Sequence, residues 1–217
     1  MNILDEFDRF SFAVIPCPAS RVADTIKQQG VEWGGEYAID DGCLRDVRAI
    51  YLSPDGPKTM PARNIGILLS EVNDRGRTKT LFVSSVSDGY NSMVMAISKK
   101  IPGVVMNFRV SRMDLEYPGV FIESFVAGRS QRTVYSMKDE REWVFWEKGD
   151  PLEFEEPQRY LARRKRDRLN PDIISGYLQK LGYVSLEREF WISDHEPARL
   201  LAHKDFRVWY ALEPTQH

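Results

Sequence analysis

Apolar positions first alternate at Phe10, Phe12 and Val14, with Ala13 and Ile15 on the opposite side, which predicts a strand buried on both faces. Pro16 and Pro18 end it. Ser20 is placed to cap a following helix whose apolar stripe is Val22, Ala23 and Ile26, and Gly30 closes that helix. Trp33 to Gly42, rich in Gly and Asp and weakly periodic, reads as a loop or irregular edge before a strand around Val47 to Leu52. The proline-rich run Ser53 to Pro61 is a connection, after which Ile65, Ile67 and Leu69 alternate along another strand. Asn73 to Gly76 turns the chain into Thr80 to Val83.

A second strand, loop, helix unit follows. Ser87 or Asp88 can cap a helix in which Tyr90, Met93, Val94, Ile97 and Ile101 fall at helical spacing, with Lys99 and Lys100 at its C-terminal dipole. Val104, Met106, Phe108 and Val110 alternate after Pro102 and Gly103. The stretches Val120 to Val126, Gln131 to Met137 and Trp143 to Trp146 continue a meander. From Phe154 the period lengthens. Pro157 can open a helix to about Leu169, and Asn170 and Pro171 start another that carries Ile174, Tyr177, Leu178 and Leu181 before Gly182.

The expected class is α+β: a largely antiparallel or mixed sheet, two strand-loop-helix units and a helical C-terminal third. Residues 1–217 read as one domain, and the similar spacing of the units starting near 10 and 80 raises an internal duplication.

Composition narrows the function more than the fold. A chain of 217 residues, 42% hydrophobic and 29% charged, can bury a core without metal or disulfide support. Thirty Lys and Arg against thirty-two Asp and Glu leave a formal charge of -2, which disfavours a protein that coats nucleic acid. Cys17 and Cys43 have no metal-ligand spacing and read as reduced cytosolic thiols, although a disulfide between them stays open. The first residues lack the basic and apolar regions of a secretory signal, and no apolar run reaches the roughly 20 residues a membrane helix needs. The expectation is a cytoplasmic protein with no membrane association.

Three segments carry candidate chemistry. Ser84 to Gly89 is a polar loop before a helix N-terminus, where Ser85, Ser87 and Asn91 could surround an anion, but it lacks P-loop spacing and Asp88 would oppose the charge. A polar turn with a helix cap is the simpler reading. Arg159, Arg163, Arg164, Lys165, Arg166 and Arg168 concentrate positive charge on the predicted helix from Pro157. Glu153, Glu155 and Glu156 at its start match the macrodipole, so a solvated helix explains the same pattern. Asp139 to Glu156 is acid-rich and encloses Trp143, Phe145 and Trp146, a combination that can dock a basic partner, although a buried strand accounts for the aromatics more simply.

Catalytic signals are sparse. His195 and His203 straddle Pro197, His217 is terminal, and no zinc, serine-hydrolase or cysteine-nucleophile motif occurs. Cys17, between two prolines at a strand end, is the one thiol placed where a helix N-terminus could activate it, against the commoner buried thiol. The expectation is therefore non-enzymatic, with no metal and no cofactor: a protein-interaction module whose most concrete form is a bacterial toxin-neutralising immunity protein. Asp139, Glu140, Glu142, Trp146, Glu147 and Asp150 would meet a basic protein partner, with Arg163 and Arg164 against an acidic patch. Two alternatives stand beside it. One is an enzyme for a phosphorylated small molecule or nucleic acid, with Ser85, Ser87 and Asn91 sharing one pocket with Arg163 or Arg164. The other is a nucleic-acid-associated protein using the basic helix.

Overall fold

The alternating segments assemble into one sheet in the computed structural model, which describes residues 1–34, 37–43, 47, 66–86, 88–192 and 197–203. Its strands are β1 (Arg9–Ile15), β2 (Tyr37–Cys43), β3 (Gly66–Asp74), β4 (Arg77–Ser84), β5 (Val105–Ser111), β6 (Gly119–Val126), β7 (Arg129–Asp139), β8 (Glu142–Lys148) and β9 (Pro197–His203). Their order across the sheet is β2-β9-β3-β4-β1-β5-β6-β7-β8, and the pairings are antiparallel. Tight turns make the β3–β4 and β6–β7 hairpins. Arg75 with Gly76 and Ala127 with Gly128 hold positive φ at both central positions, the backbone twist that two-residue hairpins require.

Strand alternation sorts the core into two layers. Ala13, Ile15, Ile67, Leu69, Phe82, Val105 and Phe125 face α1 (Ala19–Glu32) and α2 (Asn91–Lys100). Phe10, Phe12, Val14, Leu81, Phe108, Ile122 and Val134 face the C-terminal segment, which includes α3 (Pro171–Leu181) and the short α4 (Arg188–Trp191). Trp191 is fully buried there, 4.8 Å from Phe10 and 4.9 Å from Phe12 between ring centroids, while its indole N–H donates to the Ser185 carbonyl at 2.6 Å. An aromatic this size dominates its layer, because its apolar body is dry and its one donor is satisfied.

The class expected from sequence is overturned in its last part: there is no helical C-terminal third. Among the described residues after Phe154 are two 3-10 turns, Pro157–Leu161 and Lys165–Asp167, then α3, α4 and the strand β9. The predicted helix from Pro157 fails because Tyr160 and Leu169 are the buried positions of the stretch and Leu161 is 81% exposed, so no continuous apolar stripe exists to pack. The Asp/Gly-rich stretch before Cys43 also departs from expectation. It forms β2, paired along its length with β9, a partner too distant in sequence for local periodicity to report. The strand expected at Val47 to Leu52 and the connection Ser53 to Pro61 lie outside the described residues, apart from Val47, which is buried.

Capping differs in one place and agrees in another. The α1 N-terminus has no side-chain cap of its own; Glu71 on β3 accepts the Ala19 N–H at 2.7 Å instead, joining helix to sheet. Asn170 caps α3 by accepting from the Ile173 N–H at 3.0 Å.

One polar cluster fastens the outer strands to the C-terminal layer. Arg132 on β7 is 2% exposed; its guanidinium donates to both carboxylate oxygens of Glu155, to Glu147 at 2.7 Å and to the Gly149 carbonyl at 2.7 Å. Glu155 also accepts from the Leu152 N–H and the Tyr160 hydroxyl, and Tyr160 accepts in turn from Tyr177 of α3. Gly149 has φ +86, and a Cβ there would lie 1.8 Å from the Gln131 carbonyl oxygen, so only glycine lets the chain leave β8 towards the cluster. Burial and hydrogen bonding to the cluster push the Tyr160 phenol well above its ordinary pKa.

A buried ion pair costs most when half of it is removed. Arg132→Leu is expected to destabilise the fold by about 3–5 kcal/mol because it strands the Glu155 carboxylate, while Arg132→Leu with Glu155→Leu recovers much of that loss. Urea denaturation of the single and double variants measures both.

Candidate functional site

On the helix-covered side of the sheet, α2 shields only one end of β5, β6 and β7: Val105 and Phe125 pack in its core layer, and the Ser98 hydroxyl accepts from the Gly128 N–H at 3.1 Å. The opposite end of these strands, with β8, keeps an open face. Register places Arg109 beside Phe121, Phe121 beside Tyr135 and Tyr135 beside Trp146, all on that face. The Arg109 guanidinium lies 4.0 Å from the Phe121 ring centre; Phe121 and Tyr135 stack at 5.5 Å, Tyr135 and Trp146 at 5.7 Å. Glu123 fixes Arg109 with an ion pair of 2.9 Å. The result is a cation and three rings in one row, ending at Trp146, which is 42% exposed on the sheet edge. Cross-strand aromatic contacts of this kind contribute roughly 0.5–1.5 kcal/mol each, enough to hold the row rigid without a covering layer.

Beside the row lies a groove of about 340 Å³ lined in part by Arg9, Ser11, Arg109, Phe121, Met137 and Asp139. Arg9 donates to the Tyr117 carbonyl at 3.0 Å, and the Ser111 hydroxyl exchanges hydrogen bonds with the Gly119 backbone, so the loop from Arg112 to Pro118 is tied down over one end. Tyr117 projects from it, 51% exposed. Arg112 is occupied by Asp8 and Asp114, and its proximity holds the Asp114 carboxyl below the ordinary range. Exposed Asp88, Asp139, Glu140 and Glu142 occupy the same end of the sheet, and among the described residues the last three form no ion pair. The groove lining thus has both charge signs, Lys138 among them, and the β7–β8 turn carries Asp139, Glu140 and Glu142 against Arg141.

The residues singled out from sequence separate into distinct places. Asp139, Glu140 and Glu142 surround the β7–β8 turn, and Trp146 ends the aromatic row. Glu147 points to the other side of the sheet, where it binds Arg132, and Asp150 follows Gly149 out of β8. Arg163 and Arg164 are exposed on the C-terminal layer, next to the turn whose Lys165 carbonyl accepts from Ser136. The basic run is not a helix. That removes the macrodipole reading of its charge order.

The anion loop is likewise occupied by its own bonds. Ser85 is buried and its hydroxyl accepts from the Gly66 N–H at 3.1 Å; the Asn91 carbonyl oxygen accepts from Asn107 at 2.9 Å; Asp88 accepts from the Tyr90 N–H at 2.9 Å. Ser87 lies outside the described residues, as do His195 and His217. Ser85 and Asn91 belong to the α1–α2 side of the sheet and Arg163 and Arg164 to the opposite side, so they share no pocket. Among the described residues, no group of His, Cys, Asp and Glu is arranged to hold a metal ion, and no helix is long and apolar enough to cross a membrane.

Four residues of the open face were not singled out from the pattern: Arg109, Tyr117, Phe121 and Tyr135. A signal was present. Phe121 and Tyr135 have the parity opposite to the buried Val120, Ile122 and Val134, so each is a large aromatic on the side of its strand otherwise left to polar residues. No protein-family model, curated protein or solved structure matched the chain.

Cys17 is 5% exposed, and burial pushes its thiol up from 9.0 to about 11, with Arg21 opposing and Glu71 adding to the shift. A thiol so raised is protonated near neutrality and a poor nucleophile. Because the folded value exceeds the unfolded one, its contribution to stability is full below pH 9.0 and is lost as pH rises towards about 11. A thiol reagent at pH 8 is expected to leave Cys17 unmodified in the folded protein and to label it once urea unfolds the chain.

Proposed function

We propose that this chain is a non-enzymatic protein-interaction module whose docking face is the open half of the sheet formed by β5 to β8. The observation that carries this reading is the row Arg109–Phe121–Tyr135–Trp146, stacked and uncovered, beside a groove whose β7–β8 turn has more acids than cations. Large aromatics on a preorganised surface supply binding energy with little loss of side-chain entropy. The acids select the partner: a folded protein with Lys and Arg on its contact surface, attracted over a distance set by the ionic strength.

Asp139, Glu140 and Tyr117 make first contact in this arrangement, and Trp146 and Tyr135 receive the apolar part of the partner. Glu147 has a structural place instead, through Arg132. Inhibition of a basic bacterial toxin is the most concrete form of this function, because such an inhibitor needs a charged, aromatic face and no reactive group. The enzyme reading loses its stated requirement, since the serine loop and the arginines lie on opposite sides of the sheet. Nucleic-acid binding through the basic segment keeps only the exposed charges of Arg163, Arg164, Lys165 and Arg166, without a helix to align them.

The test is a paired affinity capture. The wild-type chain is expected to retain a basic protein stoichiometrically at low salt, and a variant with Tyr117→Ala, Asp139→Lys and Glu140→Lys to retain less than about a tenth as much. Arg163→Ala with Arg164→Ala is expected to change nothing. Equal retention by the Tyr117 variant, or loss in the arginine variant alone, would contradict the assignment of this face.

A further inference from the structure

The sheet ends at β8, and β8 has features that pairing with a second strand would use. A two-residue turn joins it to β7, so Asp139 and Glu142 are the closing hydrogen-bonded pair, and the alternation continues through Val144, Trp146 and Lys148. The Lys138 N–H, one residue out of phase, donates away from β8 to the Pro118 carbonyl, as this phase requires. Trp143, Phe145 and Glu147 therefore direct their backbone N–H and C=O groups out of the sheet edge. Among the described residues, no backbone group meets them there.

Natural edges of this kind are usually blunted by an inward lysine, a proline or a bulge. β8 has none of these within Trp143–Val144–Phe145–Trp146, and its pairing with β7 is regular throughout. The charges of β8, Glu142, Glu147 and Lys148, lie towards its ends, and an edge with an apolar centre and open backbone groups is a template for another strand.

We infer that the other strand is β8 of a second copy of this chain, antiparallel, with the twofold axis at Phe145. This register overlaps the whole strand and matches its charges: Glu142 lies opposite Lys148 of the partner copy and Lys148 opposite its Glu142. Val144 and Trp146 meet their counterparts crosswise on the open face, so the row Phe121–Tyr135–Trp146 runs on into the second molecule. The two Phe145 rings meet on the other side of the sheet, beside Arg168, which lies 5.3 Å from the Phe145 ring centre. Glu140 and Asp150 fall outside the paired span, on the turns by which the chain leaves β8.

Pairing of one short strand buries less than a standard interface, so the association is weak, in the micromolar range. It shares Trp146 with the heterologous docking proposed above but turns on Glu142 and Lys148 where that docking turns on Tyr117, Asp139 and Glu140, so the two sets of variants test them apart.

Sedimentation equilibrium from about 1 to 500 μM tests it, a range set by the affinity expected of a small interface. The wild-type chain is expected to be a reversible monomer–dimer system. Glu142→Lys alone and Lys148→Glu alone place like charges opposite each other twice across the axis, and each is expected to weaken the dimer at least about tenfold. An equimolar mixture of the two variants restores opposite charges at both contacts and is expected to form the heterodimer at near wild-type affinity. A wild-type chain that stays monomeric throughout, or a dimer indifferent to both charge reversals, overturns the proposal; so does a mixture that fails to associate.

Discussion

The bond between Arg132 and Glu155 is the constraint on which the outer half of this molecule depends. β7 and β8 project beyond α2, and without a second layer they would be a hairpin at the rim of a sheet, marginal in water. Arg132 joins them to the opposite layer through Glu155, whose carboxylate also accepts from Tyr160, itself hydrogen-bonded by Tyr177, and it binds Glu147 and the Gly149 carbonyl at the end of β8. Burying a guanidinium costs several kcal/mol, and only a fully satisfied cluster offsets it. Because the fastening is polar and directional, it fixes the hairpin in one position rather than merely keeping it attached.

That fixed position leaves one side of the outer strands open. The C-terminal segment covers the face bearing Ile122, Val134 and Phe145, so the other face is free of packing duties beyond the reach of α2. There the chain places a cation and three rings, held by cross-strand stacking and by Glu123, and surrounds them with turns rich in acid. A surface that is rigid before contact loses little entropy on binding, which is the physical basis for reading it as a docking face.

The sequence made the strands near β1, β3 and β4 to β7 legible, because each is buried on at least one side and alternates accordingly, and β8 through its run of aromatics, of which Phe145 packs against the core. It also made the hairpin turn at Arg75–Gly76 and the Asn170 cap legible, since both are local chemistry. What stayed hidden was set by distant partners. β2 exists because β9 pairs with it across 150 or more residues, and α1 is capped by Glu71 rather than by Ser20. The helix expected from Pro157 rests on a lengthened period and a proline suited to a first helical turn, but the stretch has no continuous apolar stripe to pack. The candidate site was half legible: the acids and Trp146 stand out in sequence, but the face they border is completed by Arg109, Phe121 and Tyr135 from strands that only the register brings together. Glu147 shows the reverse, an acid that looks free in sequence and is engaged by a buried arginine.

Amide hydrogen exchange of the chain with and without a captured basic protein tests the central claim most directly, because it reads which backbone a partner covers. New protection is expected in residues 117–123 and 135–146, with the basic segment 159–168 unchanged. Protection confined to the basic segment or to α1, with the β7–β8 hairpin exchanging as before, would contradict it.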